Sequence, residues 1–363
     1  MTKAKYRSVS MLEVIERIPS RLKDILASKD RISTFINSHI EKINAITEIV
    51  IVASGSSLTA SKTASRSIEK YSNKRVTLIS SNEFVHDCFV YPTDALYLFI
   101  SQTGNSKTTR LGQQKMKNLE RFTLAITDSD DSKLAQECAN HLILGSGQEE
   151  YGQRTIGYTT TVFTLTLLGI EIGNAINVLS NEETEELYRH ARKSINRHKD
   201  VTDRMNEWIT FNKRNLLKAD TVVFVGSNDL IGLAYEGSVK LWETPQIPSF
   251  GYEIEEAMHG INYGMDAKYS IIVFEGLNSN KQMTNNFVAW LRDCYKNVIY
   301  LGSDATGDYN FTIESQDETF RFIEYSVAIQ VINYRLAVDG GRDLLKVDVH
   351  EVMNSYFAMH DES

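Results

Sequence analysis

A short segment in the first half of the chain carries more small polar side chains than a turn requires. The apolar run ALYLFI (95–100) is followed by SQTGNSKTTR (101–110), in which seven of ten side chains bear a hydroxyl or an amide. A turn needs only one or two such residues. Hydroxyls and free backbone N–H groups at the start of a helix also form an anion site without any formal charge. The segment is therefore either a polar turn or an anion-binding loop.

Two further polar loops follow apolar runs in the same part of the chain, SGSS (54–57) and GSGQEEYGQRT (145–155). Ligands of open parallel sheets bind beyond the carboxyl ends of the strands. Taken singly, Ser56, Ser106 and Thr155 are most simply helix N-caps. Three such loops at the strand ends of one sheet favour a binding site instead. The P-loop spacing is absent and no G-x-G-x-x-G follows a strand, so a sugar phosphate suits these loops better than a nucleotide.

A second group of polar residues has the placement of an acid–base pair. Glu236, Lys240 and Glu243 are spaced i, i+4, i+7, so they share one helix face. Glu236 and Lys240 alone would make an ordinary helix ion pair. Glu243 ends the helix, where the macrodipole disfavours a carboxylate, and His259 follows sixteen residues later. A lone histidine is usually structural, whereas a Glu and a His at a strand-end face are residues that move protons.

The elements that must position these residues are strands alternating with helices. Apolar residues recur at helical spacing over 10–45, and Pro19 is expected to divide this stretch into two pieces. Five short apolar runs then begin at residues 48, 76, 95, 122 and 141, with helical segments between most of them. Strands that are apolar on both faces and alternate with helices predict a parallel sheet covered on both sides.

The same order of elements returns about 170 residues later. Residues 221–243 repeat the strand, polar turn and helix of residues 48–70, and three more apolar runs follow. This period is too long for a solenoid and fits two tandem α/β domains. We therefore expect an α/β fold divided into an N-terminal helical segment at 1–45, a first domain at 46–195, a second domain at 205–338 and a C-terminal tail at 339–363.

Composition argues against several classes of function. The net charge of −8 opposes non-specific nucleic-acid binding, which depends on neutralising phosphates. No apolar run approaches the ~20 residues of a membrane span, and the N-terminus shows no secretory h-region. The three cysteines and eight histidines have no metal-ligand spacing. We expect a cytoplasmic protein with no metal, no other cofactor, no nucleic-acid partner and no membrane contact.

These motifs resemble the SIS (sugar isomerase) family over roughly 45–347, and within it the fructosamine-6-phosphate deglycases and the isomerase half of glucosamine-6-phosphate synthase. The family patterns S-Q-[ST]-G-x-[ST], S-x-E-F, C-G-[TS]-S and E-G-x-x-K-x-x-E are matched at 101–106, 81–84, 54–57 (with Ser54 for the Cys) and 236–243. The family's spacing of sixteen between its catalytic Glu and His is also present. The resemblance implies two tandem SIS domains, each a three-layer αβα sandwich with a parallel sheet.

The resemblance also implies roles for single residues. The phosphate and the sugar hydroxyls would be bound by Ser56, Ser57, Ser101, Gln102, Thr103, Ser106, the backbone near Gln153, and Thr155. Glu243 would move a proton between C1 and C2 of the open-chain sugar. His259 would assist ring opening, and in the family this His comes from the neighbouring subunit. A homodimer, or a dimer of dimers, with shared active sites is therefore implied.

The chain departs from the family pattern in three places. In the family's G-E-x-x-H-G-P, Glu255 replaces the Gly and Ile261 replaces the Pro. The synthase tail P-R-N-L-A-K reads GRDLLK at 341–346, which keeps the Arg, one Leu and the Lys, so Lys346 is the candidate for the site lysine. The N-terminal Cys-Gly-Ile of a glutaminase is missing, so ammonia production from glutamine is not expected.

Three functions follow from these residues. The first is deglycation of an amine-linked ketose 6-phosphate to an aldose 6-phosphate and a free amine. The second is isomerisation or deamination of an aminosugar 6-phosphate, which the same residues would serve. The third is a non-catalytic sugar-phosphate sensor, which the presence of both Glu243 and His259 disfavours.

Overall fold

The computed structural model describes residues 6–346, except residues 148, 150, 152, 296, 304, 306–308 and 316. For Ser279 it describes the backbone only. Most of the predicted tail, residues 347–363, lies outside the described residues. In the described part of the chain, most strands from residue 48 onward are followed by helices, as the apolar runs predict.

The elements take the following bounds. The helices are Met11–Ala27 (α1), Asp30–Ser38 (α2), Ile40–Ala45 (α3), Ser56–Ser72 (α4), Ser81–His86 (α5), Lys107–Asn118 (α6), Lys133–Glu137 (α7), Ile156–Ala175 (α8), Asn181–Lys218 (α9), Ile231–Glu243 (α10), Ile254–Met258 (α11), Ser279–Cys294 (α12) and Phe322–Asp339 (α13). The strands are Glu48–Ala53 (β1), Arg75–Ser80 (β2), Ala95–Ile100 (β3), Phe122–Thr127 (β4), His141–Ile143 (β5), Thr221–Gly226 (β6), Ser249–Glu253 (β7), Tyr269–Phe274 (β8), Val298–Gly302 (β9) and Phe311–Thr312 (β10).

The first sheet is parallel throughout, in the order β2-β1-β3-β4-β5. Its inner strands β1 and β3 are buried along their whole length because helices cover the sheet. Val50, Val52 and Phe99 form one core with Phe84 of α5 and Met116 of α6. Helices α4 and α8 pack closely on each other, and α4 also contacts β1 and β2. The carboxyl ends of the strands therefore meet at one edge, which is where the polar loops begin.

The second sheet repeats this arrangement, in the order β10-β9-β8-β6-β7, and it is also parallel. Helix α10 packs on β6, β7 and α13. After β6, the buried Asp229 accepts hydrogen bonds from Nε (2.9 Å) and Nη2 (2.7 Å) of Arg321, whose side chain is 1% exposed. The loop after β6 is thus fixed by a buried, two-pronged ion pair.

The chain divides into two compact units, each built from several segments. One unit holds the second sheet and contains residues 6–19, 151–155 and His190–Lys346. The other holds the first sheet and contains Ser20–Glu149 and Ile156–Arg189. The predicted boundaries at 46–195 and 205–338 remain a prediction about where independent domains begin and end.

One local expectation, about the first helix, needs correction. The prediction that Pro19 divides the first helix is wrong, because α1 continues through Pro19 and ends at Ala27. A proline removes one backbone hydrogen bond, which a buried amphipathic helix tolerates.

Among the described helices, α8 is long and apolar enough for a membrane span, but its apolar window is 100% buried inside the protein, as in a core helix.

We predict that Arg321→Met destabilises the protein by about 3–5 kcal/mol, because it leaves the buried Asp229 carboxylate without its partner. Urea unfolding measures the change. Lys199→Met is the control, since Lys199 pairs with Asp203 on the exposed surface of α9 and its loss should have no measurable effect. Equal effects of the two substitutions would show that the Arg321–Asp229 pair does not hold the loop.

Candidate active site

The loop after β3 is a tight turn with buried and exposed polar groups. Ser101 and Gln102 are 7% and 8% exposed, whereas Thr103 is exposed. Gly104 N donates to Ser101 O at 2.9 Å, which closes the turn, and Gly104 has a φ of +65°. Thr127 Oγ1 at the end of β4 donates to Gln102 O at 3.1 Å. The turn is therefore fixed by the neighbouring strand as well as by its own backbone.

Ser106 is at the N-cap position of α6, yet its hydroxyl does not cap the helix. Two other serines of the same unit show what a cap looks like in this protein. Ser80 accepts from Glu83 N at 3.3 Å, and Ser132 accepts from Ala135 N at 3.2 Å. The interpretation of Ser106 as an ordinary N-cap therefore does not hold, because the first N–H groups of α6 donate no hydrogen bond to that side chain.

The loop after β1 brings two more hydroxyls to the same edge of the first sheet. Helix α4 begins at Ser56, and Gly55 (φ +56°) occupies the N-cap position, so Ser56 is not the cap. Ser56 and Ser57 are both half-buried in the first turn. The Ser57 hydroxyl makes no hydrogen bond with the residues that the structure describes. These two serines lie in the first turn of α4, and their role in binding a ligand stays a prediction.

Glu149 is a residue of this edge that the sequence interpretation missed. Its carboxylate accepts from Ile156 N at 3.1 Å and Gly157 N at 3.2 Å, so it occupies the N-terminus of α8. Gln102 Nε2 donates to Glu149 Oε2 at 3.1 Å and to Ser146 Oγ at 3.1 Å. The Gln102 amide is therefore held by the protein itself. A carboxylate shortly before a helix start is the signal that would have found it.

Asp128 holds the beginning of the third loop. Its carboxylate accepts from Gly145 N at 3.0 Å, from Ser146 N at 2.9 Å and from the Ser146 hydroxyl. Burial raises the pKa of Asp128, and the hydrogen bonds from Ser146 and its neighbours act in the opposite direction. This carboxylate sits at the end of β4 and fixes backbone N–H groups of the loop, so it is a structural part of the edge.

The remaining residues of the third loop belong to the unit with the second sheet. Thr155 is buried, its hydroxyl donates to Gln153 O at 3.1 Å, and its own carbonyl accepts from Gln330 Nε2 at 3.1 Å. Tyr151 is fully buried beneath the Arg7 guanidinium, 4.7 Å from the ring centroid, and burial raises the pKa of Tyr151 to about 12.

Glu243 is the last residue of α10 and forms a charged group with two neighbours on its own helix. Lys240 Nζ lies 2.6 Å from Glu243 Oε2 and 3.3 Å from Glu236 Oε1. The side chains of Lys240 and Glu236 are each 3% exposed, whereas that of Glu243 is 36% exposed. Glu243 Oε1 makes no hydrogen bond with the described residues. One carboxylate oxygen is therefore fixed by a buried ammonium while the other is open.

The two other predicted catalytic residues are on the surface of this unit. His259 is exposed at the end of α11, which follows β7, a strand that the sequence interpretation did not identify. In the described part of the chain, no hydrogen bond joins His259 to Glu243. Lys346 is also exposed, and its backbone forms an antiparallel bridge with Tyr6. Glu255, which replaces the family glycine, is an exposed residue of α11.

The fold and the loops together define an α/β protein with two parallel sheets and hydroxyl-bearing loops at the carboxyl edge of the first. The family model described as SIS domain matches residues 42–171, the segment that contains β1 to β5. The match to this family model over residues 42–171 confirms the resemblance found in the motifs of that segment.

Individual proteins are similar to this chain over most of its length. The glutamine–fructose-6-phosphate aminotransferase (isomerizing) of Helicobacter pylori is 22% identical over 354 residues, which cover 95% of this chain and 59% of the relative. The solved C-terminal domain of glucosamine-fructose-6-phosphate aminotransferase from Francisella tularensis is 19% identical, with a TM-score of 0.84 over 94% of this chain and 98% of that one. The solved tagatose-6-phosphate ketose/aldose isomerase of Escherichia coli is 16% identical, with a TM-score of 0.73 over 94% of this chain and 97% of that one.

These likenesses set the fold rather than the reaction. The structural neighbours share less than 25% of their residues with this chain, so they show a common architecture that also extends over the second sheet. The chain spans about 60% of the length of the Helicobacter pylori relative and 40% of that from Clostridium acetobutylicum.

We predict that Gly104→Ala destabilises the protein by about 3 kcal/mol or more, because it adds overpacking to backbone strain. A Cβ at Gly104 would lie 2.9 Å from Thr127 Oγ1 and closer still to the Ser132 side chain. Gly55→Ala is the matched control, since it has the same sign of φ but nothing within 4 Å, so only the strain of about 1–2 kcal/mol remains. Equal losses in urea unfolding would mean that packing against Ser132 does not constrain the loop.

Proposed function

We propose that this protein is an enzyme that binds a sugar 6-phosphate and moves a proton between C1 and C2 of its open-chain form. The observation that carries the proposal is the loop at Ser101–Ser106, because the fold leaves its hydroxyls largely unused. The Ser101 hydroxyl has no partner among the described residues, and the Ser106 hydroxyl accepts no capping bond from the N–H groups of α6. Unused hydroxyls and N–H groups at a helix start suit a phosphate.

Phosphate binding is assigned to the edge of the first sheet. The groups proposed to bind the phosphate and the sugar hydroxyls are Ser56, Ser57, Ser101, Gln102, Thr103 and Ser106, with Gln153 and Thr155 as further candidates. Gln102 has a weaker claim than the serines because its amide is already bonded to Glu149 and Ser146. Backbone N–H groups of α6 supply the remaining donors.

Proton transfer is assigned to Glu243. Its Oε1 is open, while Lys240 fixes Oε2, so the carboxylate has one oxygen available to accept and return a proton. A positioned general acid–base group of this kind contributes ~10²–10⁴-fold to a rate. His259 is proposed to assist ring opening and Lys346 to contact the sugar. A homodimer with shared active sites is proposed with them, because an exposed His259 is available to a second subunit.

The reaction proposed first is deglycation of an amine-linked ketose 6-phosphate. Glu243 takes a proton from C1 while O2 gains a proton, which gives an enolamine with a C1–C2 double bond. A proton is then delivered to C2 and the nitrogen loses its proton, so that the C1–N bond becomes an imine and the former C2 carbonyl remains a hydroxyl. Water then adds to C1 and the amine leaves, so that an aldose 6-phosphate remains. All of these steps are proton transfers and hydration, which the carboxylate and the hydroxyl-rich loops serve.

Aldose–ketose isomerisation or deamination of an aminosugar 6-phosphate is the second candidate. It is favoured by the names of the relatives, which refer to an isomerizing aminotransferase of fructose 6-phosphate and to a tagatose-6-phosphate isomerase. The proton transfer at C1 and C2 is common to both candidates. Product analysis separates them, because deglycation releases a substituted amine, whereas deamination releases ammonia.

We predict that Glu243→Gln lowers turnover of fructoselysine 6-phosphate by about 10²–10⁴-fold, while affinity for glucose 6-phosphate changes little. Reaction in D₂O should place deuterium at C2 of the aldose product, as mass spectrometry will show. Glucosamine 6-phosphate is assayed in parallel for ammonia release.

Glu256→Gln is the control, since Glu256 is an exposed carboxylate of α11 and its loss should leave both measurements unchanged. Equal rates for wild type and Glu243→Gln would remove Glu243 from the mechanism. Tight binding of sugar phosphates by a wild type that turns over neither substrate would instead identify a sensor.

A further inference from the structure

Three hydroxyls form a continuous chain behind the phosphate-binding loop. Ser81 Oγ lies 2.8 Å from Thr109 Oγ1, and Thr109 Oγ1 donates to Ser106 Oγ at 3.0 Å. Ser81 is the first residue of α5, and Thr109 belongs to the first turn of α6. Both are 0% exposed, whereas Ser106 is half-buried. The chain thus runs from the protein interior to the loop.

The direction of the protons in this chain follows from counting donors. Each hydroxyl has one proton to donate. Thr109 uses its proton toward Ser106, so Ser81 must supply the proton in the bond between Ser81 and Thr109. Ser106 then accepts one bond and retains its own proton, which finds no acceptor among the described residues. The chain therefore orients Ser106 as a donor toward the loop side, which an anion requires.

Burial strengthens this arrangement. Hydrogen bonds in a low-dielectric interior are stronger electrostatically, and successive hydroxyls polarise one another. Ser106 is also free of the capping bond that Ser80 and Ser132 accept at their helices. Among the residues that the structure describes, only Thr109 bonds to its hydroxyl, so its orientation depends on a side chain that a conservative substitution can change.

We infer that Ser81 and Thr109 are positioning residues that orient the Ser106 hydroxyl as a phosphate donor. This inference rests on the proposed function. It gives a physical role to Ser81 of the SNEF segment (81–84), whose Phe84 packs in the core and whose helix is capped by Ser80 rather than by Ser81. Neither Ser81 nor Thr109 needs to touch the ligand.

Calorimetric titration with glucose 6-phosphate, fructose 6-phosphate and glucosamine 6-phosphate tests the inference. Thr109→Val keeps the shape and removes the hydroxyl, and we expect it to weaken binding of the phosphorylated sugar by roughly 10- to 150-fold, the range for one hydrogen bond to a charged group. Thr109→Ser restores the hydroxyl and should bind within about threefold of wild type.

Two more variants separate positioning from general destabilisation. Thr166→Val makes the same chemical change at a threonine that is 1% exposed and whose hydroxyl bonds only to Val162 O of its own helix, so binding should be unchanged. The double variant Ser81→Ala/Thr109→Val removes the buried Ser81 hydroxyl that Thr109→Val leaves without a partner. Its thermal midpoint should recover relative to Thr109→Val, while its affinity stays low.

The outcomes distinguish the inference from the proposed function. If wild type binds a sugar phosphate and Thr109→Val binds it equally well, the positioning role is overturned and the proposed function stands. Recovery of affinity in the double variant, together with its stability, would also overturn the positioning role. If wild type binds none of the three phosphates, both the proposed function and the inference are overturned.

Discussion

The constraint on which the candidate site depends is that all strands of a parallel sheet end at the same edge. Register pairs Ala53 with Ser80 across β1 and β2, and Phe99 with Ala125 across β3 and β4, so the loops that follow these strands start side by side. No helix–strand unit could gather them alone, since the hydroxyls of the first and second polar loops are more than forty residues apart in sequence. A short polar stretch lies beside the other polar loops only because the sheet brings the strand ends together, and this is the edge at which open parallel sheets bind ligands.

The sequence predicts this arrangement well where one physical signal dominates. Apolar runs such as ALYLFI mark strands buried on both faces, and β3 and β4 begin and end at the predicted residues. It predicts less well where the deciding contact is distant in sequence. The half-exposed strand β7 lacks a continuous apolar run, and the role of Glu149 depends on a bond to Gln102, 47 residues away. In the sequence alone, a carboxylate that accepts hydrogen bonds from the first N–H groups of a helix cannot be told from any other charged residue of a loop.

The two sheets share an order of strands but differ in what fills their strand ends. In the first sheet the residue after β3 is Ser101, whose hydroxyl is unused, whereas in the second sheet the residue after β8 is Glu275. Glu275 accepts from Ser303 N at 3.0 Å and Ser303 Oγ at 2.9 Å, and it pairs with Lys281 at 3.0 Å. These are the donors that an anion would use. The second sheet thus supplies its own carboxylate at the position where the first has a serine, in agreement with the occurrence of the hydroxyl-rich loops in the first repeat.

The placement of Glu243 at a helix end, which the macrodipole opposes, has a physical explanation in Lys240. A buried ammonium needs a compensating charge, and the equally buried Glu236 is sufficient for that purpose. One carboxylate would be enough to neutralise Lys240, so Glu243 is a second one. Glu236, Lys240 and Glu243 together carry a formal charge of −1, and Glu243 is the exposed member of the group. Arg342 donates to the carbonyl of Thr244, the residue after Glu243, and so places a second cation at the end of α10. Lys240 holds the carboxylate at a helix end that the backbone alone would disfavour, while Glu243 Oε1 makes no hydrogen bond with the described residues, which a purely structural ion pair would not require.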